Sequence, residues 1–457
     1  MTRQQKTAEK PGIHKSISRR EFMRTTGVGV MAGLGCNFIT PGKILADNKK
    51  LKILQWSHFV SPFDDWFDNT YVKEWGKKRD TQVIVDHISY AQLKYKAVAE
   101  VMAQEGHDLF MFVDPPPALE AQVIDHREVY QKCEELYGKP VPFALKSTYN
   151  PKTNKYFGFA DSYSPDPINY RKDLWDDVGI YPDTWDDVLT GGAKIKKKHG
   201  IPVGIGLSKD IDSNMAMRAI MYSYGASVQD EEGNVVLNSK QTLEAVKFVR
   251  ALFKEAMTPD VLYWDSAANN SFMLDGNGSL VVNAISISRT AEREKQYSDI
   301  SKVIWLAKPP AGPVRRVGLE HIISIYVIWK FSKNIEGAMQ FLVDYVGDSR
   351  KAFLANRFYN FPCFPDTIPD LKKLISKDPN ADPTDKYKIL EDVVDWTTNV
   401  GHPGYANAAI DEIFGKGVIT TMFQKAAMGE LSPEEAIRQA EKECIDIFSK
   451  WKDKGIV

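Results

Sequence analysis

Asp108-Leu109-Phe110-Met111-Phe112-Val113, closed by Asp114-Pro115-Pro116-Pro117, decides the class of fold. The apolar run is short and shows no polar alternation, which predicts a strand buried on both faces, as in a parallel sheet. The prolines stop it, because they cannot donate to a sheet ladder. Working outward, Lys52-Ile53-Leu54-Gln55-Trp56 reads as an earlier strand and Gln82-Val83-Ile84-Val85-Asp86-His87-Ile88 as another. A helical stretch with Trp66, Phe67, Val72 and Trp75 lies between those two, and residues 90–104 set Leu93, Ala97, Val101 and Met102 on one helical face. Strand, helix, strand, helix, strand is the order of an α/β protein.

The rest of the chain repeats the mixture. Thr184-Trp185-Asp186-Asp187 is a capping box that opens a helix to Lys198, so its acids favour the helix dipole rather than a reaction. Residues 241–256 place Leu243, Val246, Val249 and Leu252 at helical spacing. Leu280-Val281-Val282 and Ile322 to Ile328 read as strands. Ser432-Pro433-Glu434-Glu435 starts a last helix with a cap, an N1 proline and an N3 glutamate, and Ile437, Ala440, Cys444 and Ile447 form its inner stripe.

With 457 residues, 43% hydrophobic and 26% charged, the chain has room for two or three ordinary domains. The formal charge of −1 conceals an asymmetry: residues 1–46 hold eight Lys/Arg and two Glu, which leaves the remainder at −7. A body of that sign has no general attraction for nucleic acid. Cys36, Cys133, Cys363 and Cys444 form no CxxC or Cys/His cluster, so no zinc site is expected, and a Cys133–Cys363 or Cys363–Cys444 bridge stays open.

The leader reads Ser18-Arg19-Arg20-Glu21-Phe22-Met23-Arg24, then a Gly-rich apolar run from Thr25 to Ile39. It resembles a twin-arginine export signal, with cleavage after Ala46, and implies the twin-arginine machinery as a partner and the periplasm as the destination. Gly33-Leu34-Gly35-Cys36 resembles a lipobox without Leu at −3, so lipid anchoring at Cys36 is the weaker alternative.

The sequence holds no GxSxG, HExxH or P-loop, and no catalytic residue, cofactor or metal ligand is assigned. His58, His321 and His402 stand near strand ends or loops, where a lone histidine is ordinarily a hydrogen-bonded structural residue. Phe59, Phe63, Tyr90, Tyr163, Trp264, Phe361 and Tyr405 lie in polar loops. Rings beside polar partners suit an amphipathic ligand whose C–H faces stack while its hydroxyls hydrogen-bond.

Several segments taken together resemble a family-1 extracellular solute-binding protein of an ABC importer, carbohydrate type. They are Ile168 to Gly179, with Arg171 where the family has Asn; Pro182 to Lys194; Gly276-Asn277-Gly278-Ser279-Leu280-Val281-Val282-Asn283; Lys308-Pro309-Pro310-Ala311-Gly312; Ser332 to Ala338; and Met428 to Ala436. The resemblance implies a two-lobed type II periplasmic binding protein fold, with a sheet and flanking helices in each lobe and the ligand in the cleft. It divides the chain into 1–46 as signal, 47–162 with 319–347 as lobe 1, and 163–318 with 348–457 as lobe 2. Chain crossings are expected near Asp161–Ser164, Gly318–Glu320 and Gly347–Arg350. The ligand residues it implies are His58, Phe59, Asp114, Asp161, Tyr163, His402 and Tyr405; Trp264, Asn283 and Glu320 join them as candidates. Maltose-type members carry a stacking Trp after the Gly-Asn strand, where this chain has Asn283-Ala284-Ile285-Ser286, which counts against a long oligosaccharide.

The expected function is a monomeric receptor that captures a sugar or polyol and delivers it to an ABC permease. The rival readings are an exported hydrolase or cofactor-dependent oxidoreductase, a receptor serving a sensor, and a receptor for an organic anion. The last would need convergent arginines, for which Arg289, Arg315 and Arg316 are candidates.

Overall fold

The computed structural model describes residues 49–457. The export signal, its cleavage site and Cys36 lie outside the described residues.

The decisive apolar run forms β3 (Leu109–Phe112), after β1 (Lys49–Trp56) and β2 (Thr81–Ile88). β1 pairs in parallel with β2 and with β3. The later strands are β4 (Phe159–Pro165), β5 (Ile168–Arg171), β6 (Leu280–Val282), β7 (Ile304–Ala307), β8 (Gly318–Ile328), β9 (Phe361–Pro362) and β10 (Thr397–Thr398). A seven-stranded sheet runs β9-β4-β8-β3-β1-β2, with β10 paired to β8 off that path. β8 is antiparallel to β3 and β4, and all eleven of its residues are buried. At about 1.5–3 kcal/mol for each fully buried aliphatic side chain, its isoleucines alone make it a strong anchor. A second, three-stranded sheet runs β6-β5-β7, antiparallel throughout.

The helices that matter below are α1 (Leu93–Ala103), α2 (Trp185–His199), α3 (Ile211–Ser223), α4 (Lys240–Glu255), α5 (Ser286–Arg293), α6 (Ala408–Lys416) and α7 (Pro433–Lys452). Both expected capping boxes form, Thr184 with Asp187 on α2 and Ser432 with Glu435 on α7. Ile437, Ala440, Cys444 and Ile447 of α7 are buried. α1 departs from expectation. At about 100° per residue, nine residues put Met102 opposite Leu93. Leu93 and Ala97 face inward with Glu100, whereas Tyr95 and Met102 are 80% and 82% exposed. Glu100 tolerates burial because it accepts bonds from the His107 backbone N–H at 3.1 Å and ring Nδ1 at 2.5 Å.

Two large hydrophobic cores result. The first joins β1, β3, β4 and most of β8; the second joins β5, α2, α3, α4, α6 and α7. The chain passes from the first to the second between Tyr163 and Ile168, returns between Leu319 and Ile322, and leaves again between Trp396 and Val400, while Ala284, Ile285, Leu306 and Ala406 reach back to pack against the first core. The last passage lies later in the chain than the crossing expected at Gly347–Arg350. Buried residues from Ala352 to Trp396, including Phe353, Cys363, Tyr387 and Leu390, still pack in the first core. Cys133, Cys363 and Cys444 are buried free thiols, so neither bridge forms. No helix among the described residues is long and apolar enough to cross a membrane.

Candidate functional site

The three passages bring polar residues from distant parts of the chain to the junction between the cores. Asp166 follows β4, His321 lies in β8 and Asp212 stands in the first turn of α3. His321 Nδ1 is 2.8 Å from Asp166 Oδ1, and its Nε2 is 3.1 Å from Asp212 Oδ1. Burial alone would push this imidazole down, but the two flanking carboxylates outweigh it and hold its pKa well above the usual value. The Asp166 contact is close without hydrogen-bond alignment, and both Asp166 oxygens lack a hydrogen-bond partner among the described residues. Tyr359, from the loop before β9, adds a buried hydroxyl in the same condition. Burial, then the Asp212 and Asp166 carboxylates, keep that phenol from ionising.

An amide chain extends the cluster. Asn269 Nδ2 donates to Asp212 Oδ2 at 2.7 Å. Asn283 Nδ2 donates to Asn269 Oδ1 at 3.0 Å and Asn270 Oδ1 at 2.6 Å, and Asn270 donates to Ser286 Oγ at 3.2 Å. A second bridge spans the cores: Lys94 Nζ lies 2.8 Å from Asp114 Oδ2, at the end of β3, and 2.9 Å from Asp411 Oδ1 on α6. Tyr90 packs against both cores beside it.

Of the residues expected at a ligand site, Asn283 and Asp114 therefore stand where the cores meet. Phe59 is half exposed, with ring contacts to Trp56 and Tyr359. Others turn inward. His58 bonds Asn360 Oδ1 through Nε2 at 2.6 Å and accepts the Val60 N–H at Nδ1, and burial lowers its pKa to about 4. Tyr163 packs edge-on against Phe143 in the first core. Phe63 and Phe361 are also core rings. Asp161 faces a cavity of about 20 Å³ inside that core, shared with Gln55, Ser324 and Tyr326, which is room for one or two waters. Burial lifts the Asp161 carboxyl to about 7, and its Oδ1 has no partner among the described residues.

Glu320 is 0% exposed, receives the Ser147 hydroxyl hydrogen bond, and is pushed by burial well above the usual carboxyl range. His402 stands between Arg315, 3.0 Å from its Nε2, and Thr398, 2.9 Å from its Nδ1; burial and Arg315 lower it to about 4. Tyr405 stacks edge-on to Tyr149. Trp264 is half buried against Phe272 in the second core's region. Arg316 is engaged with Asp183 and the Pro309 carbonyl.

The sequence reading missed Asp166, Asp212, Asn269, Lys94 and Tyr359. Asp166 lies two residues past the expected crossing, and the Asn269-Asn270 doublet is a faint polar signal inside a helix; Tyr359 carries none. No group of three or more His, Cys, Asp or Glu able to hold a metal occurs among the described residues.

Two cores, three chain passages and a polar junction agree with what comparison finds. The profile of the bacterial extracellular solute-binding proteins matches residues 69–349. The chain belongs to that family. Solute-binding proteins of known structure share its fold. A sugar transporter from Arthrobacter chlorophenolicus A6 with bound laminaribiose superposes with a TM-score of 0.70 at 17% identity, covering 87% of this chain and 99% of that one. A solute-binding protein from Agrobacterium radiobacter K84 in complex with ribitol gives 0.65 at 17% identity, covering 87% and 98%. A Brucella abortus protein described as a binding protein is 27% identical over 192 residues, 41% of this chain; the match spans 46% of that relative's length. The fold class is thus α/β, in the two-lobed form of periplasmic binding proteins.

Proposed function

We propose that this family member is an exported receptor that clamps a small polyhydroxylated solute, a sugar or polyol, between its two cores and passes it unchanged to the membrane permease of an ABC importer. One observation carries the reading. The junction gathers Asp166, His321 and Tyr359, whose carboxylate oxygens, ring Nδ1 and hydroxyl lack hydrogen-bond partners among the described residues, around the bonded carboxylate of Asp212. Buried polar atoms of that kind cost free energy unless something satisfies them, and hydroxyl groups both donate and accept. The laminaribiose and ribitol bound to proteins of the same fold support the choice of solute class. The lobes are 49–165 with 320–396, and 166–319 with 397–457; the export signal in 1–46 directs the chain to the periplasm, where it acts as a monomer without a catalytic step.

Calorimetric titration of the mature protein with laminaribiose, ribitol, glucose and their neutral relatives tests this. Micromolar binding corresponds to about −8 kcal/mol, within reach of a few hydrogen bonds and one stacked ring. Recovery of the sugar in altered form would replace the receptor with an enzyme.

A further inference from the structure

α5 carries Ser286, Arg289, Thr290 and Arg293 at positions i, i+3, i+4 and i+7, one face of a helix. Its other face, Ile287 and Ala291, packs into a small core with Met273 and Val281. The polar face looks across a recess at Phe59 and Arg357, which come from loops of the first core. Arg289 and Arg293 of α5 and Arg357 from the first core thus line one recess.

Their pairing is incomplete. Arg289 is 3% exposed, and its Nη1 is occupied by Glu292 Oε2 at 2.9 Å and Asp378 Oδ2 at 2.6 Å. It lies over the rings of Tyr387 and Phe358, 3.7 Å and 5.3 Å from their centroids. Its Nε and Nη2 are buried without a hydrogen-bond partner among the described residues. Arg293 reaches only the exposed Glu294, and Arg357 has no ion-pair partner among the described residues. Arg357 and Phe358 both hold left-handed backbone, φ 55° and 66°. Neither is a glycine, so the loop that presents Arg357 is held in a conformation that costs about 1–2 kcal/mol per residue.

A hydrogen-bond chain runs from Ser286, which lines the recess, through Asn270 to Asn283 of the polar junction. The free space is about 10 Å³, the room of one water. An oxygen bearing negative charge fits there only in direct contact with the guanidinium groups. Planar, always-charged forks of this kind are what carboxylates and phosphoryl groups bind most strongly.

We infer that the solute carries an oxyanion, a carboxylate or phosphoryl group on its polyhydroxylated frame, and that Arg289, Arg293 and Arg357 hold it while the hydroxyls face Asp166, Asp212 and Tyr359. The inference rests on the receptor reading above and narrows its solute class. Arg289, one of the arginines singled out in the sequence, thus belongs to a convergent set, with Arg293 and Arg357 in place of Arg315 and Arg316.

The experiment is a calorimetric comparison of matched pairs on the mature protein: glucose, glucuronate and glucose 6-phosphate, then ribitol and ribitol 5-phosphate. At least one acidic member should bind about tenfold or more tighter than its neutral partner, as one charge-assisted hydrogen bond allows. The uronate and phosphate arms identify which oxyanion is preferred. Arg357→Gln and, separately, the exposed Arg293→Gln should each erase that preference, bringing the affinity for the acidic member down to that for its neutral partner. Neutral solutes binding as tightly as acidic ones, or acidic binding that survives both substitutions, overturns the inference and leaves the receptor intact. No binding by any member of either pair counts against both.

Discussion

Asp161→Asn should stabilise this protein, by an amount that depends on pH. Asp161 sits inside the first core beside Gln55 and Tyr326, with burial lifting its carboxyl from 3.8 to about 7. The folded chain therefore holds the proton more tightly than the unfolded chain does. The stability this group contributes is complete below pH 3.8, is lost as pH rises, and levels off above about 7. At about 1.4 kcal/mol per pH unit, the full loss is about 4 kcal/mol, of which about 3 kcal/mol falls between pH 5 and pH 7. Asparagine keeps the shape and never ionises. Urea unfolding of both proteins, followed by tryptophan fluorescence from pH 4 to pH 8, should give curves that diverge by about 3 kcal/mol above pH 5 in favour of the variant. Parallel curves across that range would refute a neutral, buried Asp161.

Three further outcomes follow from the junction. His321→Ala leaves Asp166 and Asp212 buried without their shared cation and should cost about 3–5 kcal/mol by urea unfolding, with Asp212→Asn in the same chain recovering part of it. Lys94→Met removes the bridge from Asp114 to Asp411; because Lys94 is half exposed, solute affinity should fall by no more than about fivefold, read by calorimetry. Glu320→Gln should gain on the wild type in urea unfolding as pH rises above 4.5, because the unfolded carboxyl ionises there while burial holds the folded one protonated.

The fold was legible where local physics is self-sufficient. Apolar runs marked β1 to β3, and the capping boxes at Thr184 and Ser432 marked helix starts, because a cap needs only neighbours in sequence. Met102 shows the limit within a helix: four apolar residues were read as one face although the last lies opposite the first. The long return of residues 352–396 to the first core left no local mark, because β9 and its neighbours are two-residue strands and short turns. The site was less legible than the fold. His58 does sit just past a strand end and Asp161 lies within β4, but a residue in either place can face the junction or its own core, and these two face the core. Asp166 and Asp212 each meet His321 across more than a hundred residues of intervening chain, so their shared role exists only once both sheets are in place.

The connecting strands are not independent threads. Gly318 and Leu319 of β8 pair with Thr397 and Thr398, and the next residue, Glu320, pairs with Pro165 at the end of β4. All three links are thereby laced into one narrow ribbon. A ribbon bends across its flat face more readily than within its own plane, so a hinge built from it would confine the movement of one core against the other to a single arc.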